Sequence, residues 1–196
     1  MSGAAHRATQ EARLEAIIRA TPGLMSVLET VRSLDLPDWL IFSGAVYQPV
    51  LNHLTGRDPD YGIKDYDLAY FDASDISYDA EDVVIRKVAA ALPAPLRDLV
   101  ETRNQARVHV WFESKFGEPY APLSCSAEAL DRFVSATFAV GVRIDRGGRL
   151  TIIAPFGLDD LFALRMRPNP TRRTNGFARA VASLTARWPE LKVELE

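Results

Sequence analysis

The stretch from Phe42 to Asp72, FSGAVYQPVLNHLTGRDPDYGIKDYDLAYFD, decides the fold class and holds the most informative polar residues. The apolar run DWLIFSG predicts a short buried strand that ends at Gly44. AVYQPVLNHLTG then predicts a helix that ends at Gly56, and KDYDLAYFD predicts a second strand. A strand, a helix and a strand in such close succession predict a mixed α/β fold.

Hydrophobic periodicity extends this prediction to the rest of the chain. Because several predicted strands are adjacent, the pattern favours an α+β fold with a mixed sheet over a doubly wound parallel sheet. We expect N-terminal helices packed on the core (1–38), a mixed-sheet core (39–156) and C-terminal helices of the same domain (157–196). Further helices are predicted at 9–20, 22–36, 80–92, 126–133, 157–167 and 176–187, and further strands at 97–103, 106–113, 137–145 and 149–156.

Composition and charge exclude some classes of protein. The chain has 196 residues, 47% of them hydrophobic and 25% charged, which suits one globular domain. A net charge of −3 argues against a surface that binds nucleic acid everywhere, although a local basic groove stays possible, and no DNA-binding motif is evident. The single cysteine, Cys125, fits a reducing compartment, and no segment predicts a secretory signal or a membrane span. We therefore expect a cytoplasmic protein.

Asp65 and Asp67 are separated by one residue on the predicted strand. Residues i and i+2 of a strand project to the same side, so the two carboxylates would repel each other unless a cation lay between them. Mg²⁺ binds one or two carboxylates together with substrate phosphates, so the pattern fits a metal–triphosphate site. An edge strand that exposes an acidic face would show the same pattern.

Ser43 and Gly44 form the turn between the predicted strand and helix. A helix N-terminus offers backbone N–H groups and a positive dipole end to phosphate, and glycine allows close approach of the backbone. An ordinary strand-to-helix turn would use the same residues. The acids downstream favour the phosphate-binding interpretation.

Several blocks of sequence, spread over residues 42–169, together resemble a known family. They are SGA, GIKDYDLAYFD, RNQARVHVWF and APFGLDDLFALRMRPNP. The small-residue turn and D-x-D strand resemble the nucleotidyltransferase (DNA polymerase beta-like) superfamily, and the set resembles a bacterial nucleotidyltransferase-like family within it. The resemblance implies a mixed-sheet core and Mg²⁺-dependent transfer of a nucleotidyl group from an NTP, with two Mg²⁺ ions. It matches Ser43 and Gly44 to the phosphate turn, and Asp65 and Asp67 to the metal ligands.

The sequence departs from the superfamily pattern in three respects. Gly44 is followed by Ala45, so a hydroxyl contact must come from Ser43. Twenty residues separate Gly44 from Asp65, a longer spacing than usual. The third catalytic carboxylate is not obvious. Glu101, in RDLVETRNQ, is the first candidate, as a ligand of the second metal and an aid to proton removal, but it also fits an exposed strand acid.

Arg103, Arg107 and His109 are further candidates for contacts with the triphosphate or the acceptor. RNQAR is rich in hydrogen-bond donors, although a solvated hairpin turn would explain it, and a strand histidine is commonly structural. Downstream, Arg172 and Arg173 could draw phosphates or an RNA acceptor toward the site, but we expect them to form a basic helix end near a proline break.

The leading hypothesis is a Mg²⁺-dependent nucleotidyltransferase that moves an NMP group from an NTP to an acceptor hydroxyl. The acceptor is unknown, and RNA, protein, a small alcohol and a sugar all stay open. A catalytically weak or inactive nucleotide-binding module on the same fold is the alternative, motivated by the missing third acid. A phosphohydrolase with an aspartyl nucleophile is a less favoured alternative, because Leu68 and Ala69 follow the D-x-D.

Overall fold

A computed structural model of the protein describes residues 3–172, 174 and 176–195. Its centre is a five-stranded sheet in the order β3-β2-β1-β4-β5. The strands of this sheet are Leu40–Phe42 (β1), Tyr66–Tyr70 (β2), Val100–Asn104 (β3), Gly141–Ile144 (β4) and Leu150–Ile153 (β5). Strand β2 runs parallel to β3, and the other neighbours pair antiparallel. The predicted mixed sheet is therefore confirmed.

Helices lie before, between and after these strands. They are Gly3–Arg19 (α1), Pro22–Ser33 (α2), Gly44–Thr55 (α3), Tyr78–Ala91 (α4), Leu96–Leu99 (α5), Val108–Phe116 (α6), Asp159–Phe162 (α7) and Gly176–Thr185 (α8). Short 3-10 turns span Gln105–Arg107, Ser126–Arg132 and Ala136–Phe138. Among the described residues, no helix is both long and apolar enough to span a membrane.

The two faces of the sheet are covered differently. Ile41 and Leu68 face the main apolar core, which also contains buried residues of α1, α2 and α3. Leu40 and Ala69 face a smaller apolar cluster formed with Leu130 and Ala139. Because strand side chains alternate between faces, Asp67 projects on the same side as Ala69. This face is the thinly covered one, which leaves room for a site.

The predicted strand at 106–113 is wrong, because this segment is helical. The Asn104 side chain accepts a hydrogen bond from the Ala106 N–H, which turns the chain at the end of β3. Helix α6 follows and ends at Gly117, which has the left-handed conformation. His109 therefore lies on a helix, and its alternation with Arg107 and Trp111 does not define a strand face.

The C-terminal segment contains a small sheet as well as helices. The predicted helix over 157–167 is present only as α7, because Leu164 adopts a positive φ of 53°. Arg165–Met166 (β6) then pairs parallel with Lys192–Val193 (β7). Leu184 and Trp188 belong to the main apolar core, in line with our proposal that residues 157–196 are part of the same domain.

Candidate active site

The small-residue turn and the acidic strand meet because β1 pairs with β2. Phe42 lies opposite Asp67 in this antiparallel register. Ser43 follows Phe42, and its hydroxyl lies near the Asp67 carboxylate, where it acts to lower the pKa of Asp67. The two segments that the sequence separates by twenty residues therefore form one site.

Glu101 lies directly opposite Asp67 on the parallel neighbour β3. Paired residues of adjacent strands project to the same face, so both carboxylates belong to the thinly covered face. Asp65 lies one residue before the start of β2. The negative charge of Glu101 raises the pKa of both Asp65 and Asp67, so the structure brings the three predicted acids into one electrostatic cluster.

The carboxylates of this cluster are held in an unfavourable environment. Burial raises the pKa of Asp67 to about 6, with a further contribution from Asp65, while the nearby Ser43 hydroxyl opposes the shift. Burial and then Glu101 raise the pKa of Asp65, while the charges of Lys64 and Arg187 lower it. A cation placed among these acids would relieve both desolvation and repulsion.

The donor set suits magnesium. Asp65 and Asp67 offer hard carboxylate oxygens, and Mg²⁺ commonly takes one or two of these together with substrate phosphates. Within the described part of the chain, no group of three or more His, Cys, Asp or Glu side chains forms a ready-made metal centre. The exposed Glu101 carboxylate instead contacts Arg103, with 3.5 Å between Oε2 and Nη2. The arrangement therefore fits an ion held by two carboxylates and completed by the substrate.

Ser43 lies immediately before α3 and has an unusual backbone conformation. Its φ is 65° and its ψ is −139°, a region that favours glycine. Its carbonyl accepts hydrogen bonds from the N–H groups of Val46 and Tyr47, at 3.0 and 3.1 Å. A Cβ on Gly44 would lie 2.6 Å from the Gln48 amide nitrogen, so glycine makes room for the side chain one turn along. The turn presents the N-terminus of α3 beside Asp67.

Arg107 and His109 do not lie with the acids. Arg107 forms an ion pair with Glu81, with 2.6 Å between Nη1 and Oε2, and both side chains are largely buried. Its Nε also donates to the carbonyl of Ile76. His109 Nδ1 is buried without a hydrogen-bond partner in the part of the chain that the structure describes. The geometry gives Arg107 a structural contact, whereas Arg103 stays beside Glu101.

A cleft of about 550 Å³ opens beside Ser43 and Asp67. It combines an aromatic lining with positive charge. The aromatic side chains are Phe42, Tyr47, Phe112, Phe116, Phe133 and Phe138, and the cations are Arg132, Arg172 and Arg179. Arg172 pairs with Glu118 at 2.6 Å and lies outside the helices, so it does not form the basic helix end that we expected. Arg173 lies outside the described residues.

Sequence reasoning missed this cleft for a physical reason. Its lining comes from β1, α3, α6, the Ser126–Arg132 turn and α8, which are far apart in the chain. No local pattern marks Arg132 or Arg179, because each is a single arginine in an ordinary helical or turn context. Only their shared position shows that both face one cleft.

A mixed sheet with paired acids beside a small-residue turn at a helix N-terminus defines the nucleotidyltransferase class of proteins. The model of the nucleotidyltransferase family matches residues 29–193, so the chain belongs to that family and is a nucleotidyltransferase. A solved NMR structure described as a CCA-adding enzyme head domain has a similar fold, with a TM-score of 0.76 and 24% identity. The similarity covers 93% of this chain and 94% of that one. A search of the curated proteins gave no match.

Proposed function

We propose that the protein uses Mg²⁺ to transfer a nucleoside monophosphate from an NTP to an acceptor hydroxyl in the cytoplasm. One observation carries this proposal. The half-buried Asp67 lies two residues from Asp65, in register with Glu101, and beside Ser43 at the N-terminus of α3. Negative ligands for a metal and positive dipoles for phosphate therefore lie side by side.

Each residue has a role in this proposal. Asp65 and Asp67 would hold Mg²⁺, which neutralises triphosphate charge when bound. The Ser43–Gly44 turn binds the β- and γ-phosphates through backbone N–H groups. The acceptor oxygen forms a bond to the α-phosphorus while the bond to the bridging β-phosphate oxygen breaks and pyrophosphate leaves. Glu101 accepts the proton of the acceptor hydroxyl, and its carboxylate would also serve as a ligand if a second Mg²⁺ ion were bound.

The cleft supplies the remaining contacts with substrate. Its volume and aromatic lining suit a nucleoside, which binds by apolar contact and ring stacking. Arg132 and Arg179 form no ion pair within the described residues, so their charges are available to an anion. The similar structure is described as a CCA-adding enzyme head domain, so an RNA 3′ end is the first acceptor to test.

The direct test is transfer of label from α-labelled NTPs to RNA, protein and small hydroxyl acceptors in the presence of Mg²⁺. We expect Asp65→Asn and Asp67→Asn to abolish transfer, and Glu101→Gln to lower it about 100-fold by removing the base. Asp98→Asn, an exposed acid just before β3, is the matched control. Equal transfer by wild type and Asp67→Asn would overturn the proposal.

Calorimetry with the Mg²⁺ complexes of ATP, GTP and CTP tests the alternative of a weakly active binding module. The contact of Glu101 with Arg103 favours this alternative, since it draws the carboxylate toward a cation of the protein. Tight binding without pyrophosphate release over hours would support the module. Release of pyrophosphate together with labelled acceptor would support the enzyme.

A further inference from the structure

The loop between α3 and β2, which leads to Asp65, is held by residues from the far end of the chain. Arg187 Nη1 donates to the carbonyl of Gly62 at 2.7 Å, three residues before Asp65. The buried Trp188 donates from Nε1 to Asn52 Oδ1 at 2.9 Å. Arg187 and Trp188 together form what we term the C-terminal brace.

Asn52 passes the contact on to the same loop. It is fully buried, and its side-chain nitrogen donates to the carbonyls of Pro59 and Tyr61 at 3.0 and 2.9 Å. The Tyr61 ring packs edge-on against Trp188, with 5.7 Å between centroids. The carbonyls of Pro59 and Tyr61 are thus tied through Asn52 to Trp188, and the carbonyl of Gly62 is tied to Arg187.

Gly62 fits the brace closely. Its φ is 72°, and a Cβ there would lie 3.0 Å from Trp188 Cη2 and 3.5 Å from Arg187 Nη1. The guanidinium of Arg187 also stacks on the Trp188 ring, 4.7 Å from its centroid. Loop and brace therefore have one compatible arrangement, which a side chain at residue 62 or loss of the guanidinium would disturb.

We propose that Arg187 is a positioning residue for nucleotidyl transfer, because it fixes through Gly62 the segment that presents Asp65 to the metal and triphosphate. This inference rests on the proposed function, because it gives Arg187 a role in positioning Asp65, one of the proposed Mg²⁺ ligands. A displacement of about 1 Å at a reacting group can cost about 100-fold in rate, so a loosened segment lowers turnover more than substrate binding.

The test compares Arg187→Met, which removes the donor, with Arg187→Lys, which keeps a charged donor. We expect Arg187→Met to lower kcat 10- to 100-fold with KM for NTP changed less than threefold, and Arg187→Lys to recover most of the loss. Hydrogen exchange of residues 57–65 should rise in Arg187→Met. Arg57→Met is the control, because it removes the Arg57–Glu190 ion pair, which spans 2.9 Å, and the contact of Arg57 with the Tyr61 ring, but leaves the Arg187–Gly62 hydrogen bond in place.

Three results would overturn the inference. These are unchanged exchange of 57–65 in Arg187→Met, an unchanged kcat, or an equal loss of kcat in Arg57→Met. Hydrogen exchange needs no turnover, so it separates the two proposals. If the wild-type protein shows no transfer, both the proposed function and the positioning role of Arg187 are overturned. If the wild-type protein is active and Arg187→Met is unaffected, only the inference about Arg187 is overturned. Gly62→Ala disturbs the same contact between the loop and the C-terminal brace, so it should give the same fall in kcat.

Discussion

Ser43 shows how the site uses a backbone conformation that its residue type disfavours. A non-glycine residue at φ 65° and ψ −139° carries a cost of about 1–3 kcal/mol. The serine hydroxyl interacts with the Asp67 carboxylate and acts to lower its pKa, which glycine cannot do. The strain is therefore tied to a side-chain contact in the site.

We expect Ser43→Gly to make the protein more stable but less active in nucleotidyl transfer. Glycine relieves the backbone strain of the folded state but also increases the entropy of the unfolded chain. The net gain in the free energy of unfolding should be about 1 kcal/mol. Loss of the hydroxyl should lower transfer about tenfold. Thermal unfolding and label transfer measure the two effects. Ser43→Ala keeps the strain, so it should lower activity without raising Tm; a gain in Tm for both variants would contradict this account.

Asp67 gives a pH-dependent stability whose sign follows from its raised pKa of about 6. The folded protein binds the proton more tightly than the unfolded chain, so stability falls as pH rises from about 4 to about 6. Asp67→Asn removes this penalty. Without metal, the variant should be about 3 kcal/mol more stable than wild type at pH 7.5 and nearly equal to it at pH 4.

Thermal unfolding at both pH values measures this difference, with Asp98→Asn as a control that should track wild type. Addition of Mg²⁺ at pH 7.5 should stabilise wild type and leave Asp67→Asn unchanged, since binding to the folded state alone is stabilising. An offset between Asp67→Asn and wild type that is the same at pH 4 and pH 7.5 would show that Asp67 carries no such penalty.

At the scale of elements, the pairing of β2 with β3 sets the site and α4 supports it. Glu81, on α4, accepts from the Asn104 N–H at 2.8 Å and pairs with Arg107. The Glu81 side chain is only 3% exposed, so the Asn104 N–H and Arg107 take the place of water around its carboxylate. The end of β3 is thereby joined to the helix that packs on it.

Arg107→Met should destabilise the protein by about 3–5 kcal/mol, because it leaves a buried carboxylate without its cation. The double variant Arg107→Met/Glu81→Gln should recover part of this loss. Arg86→Met, which breaks an exposed pair with Asp82 on the same helix, should cost less than about 1 kcal/mol. Chemical denaturation measures all three. If folded Arg107→Met instead showed a raised KM for NTP, that result would support the predicted contact of Arg107 with the triphosphate.

The elements that sequence patterns predicted well are those with local causes. The apolar run of β1, the Gly56 stop of α3 and the RGG hairpin between β4 and β5 depend on residues close in sequence. Helix α6 was missed because Arg107, His109 and Trp111 alternate as in a strand, while the deciding contact is the cap from Asn104. The acids of the site were found, but their register and the cleft depend on pairing between distant segments.

At the scale of the molecule, the cleft joins segments from both halves of the chain around the acids. Arg179 reaches it from α8 and is exposed, so it can bind an anion with little change in the fold. We expect Arg179→Ala to raise KM for NTP about tenfold and leave Tm unchanged. Arg146→Ala, an exposed arginine on the β4–β5 turn, is the control. An unchanged KM in Arg179→Ala, measured by initial rates, would place the triphosphate elsewhere.

The C-terminal brace also bears on when the site becomes complete during synthesis. The sheet strands and both aspartates leave the ribosome well before Arg187 and Trp188 do. Until those two residues arrive, the carbonyls of Pro59, Tyr61 and Gly62 lack their partners, directly or through Asn52. A nascent chain can therefore form its sheet without placing Asp65, so competence for transfer is acquired only after Arg187 and Trp188 have been synthesised.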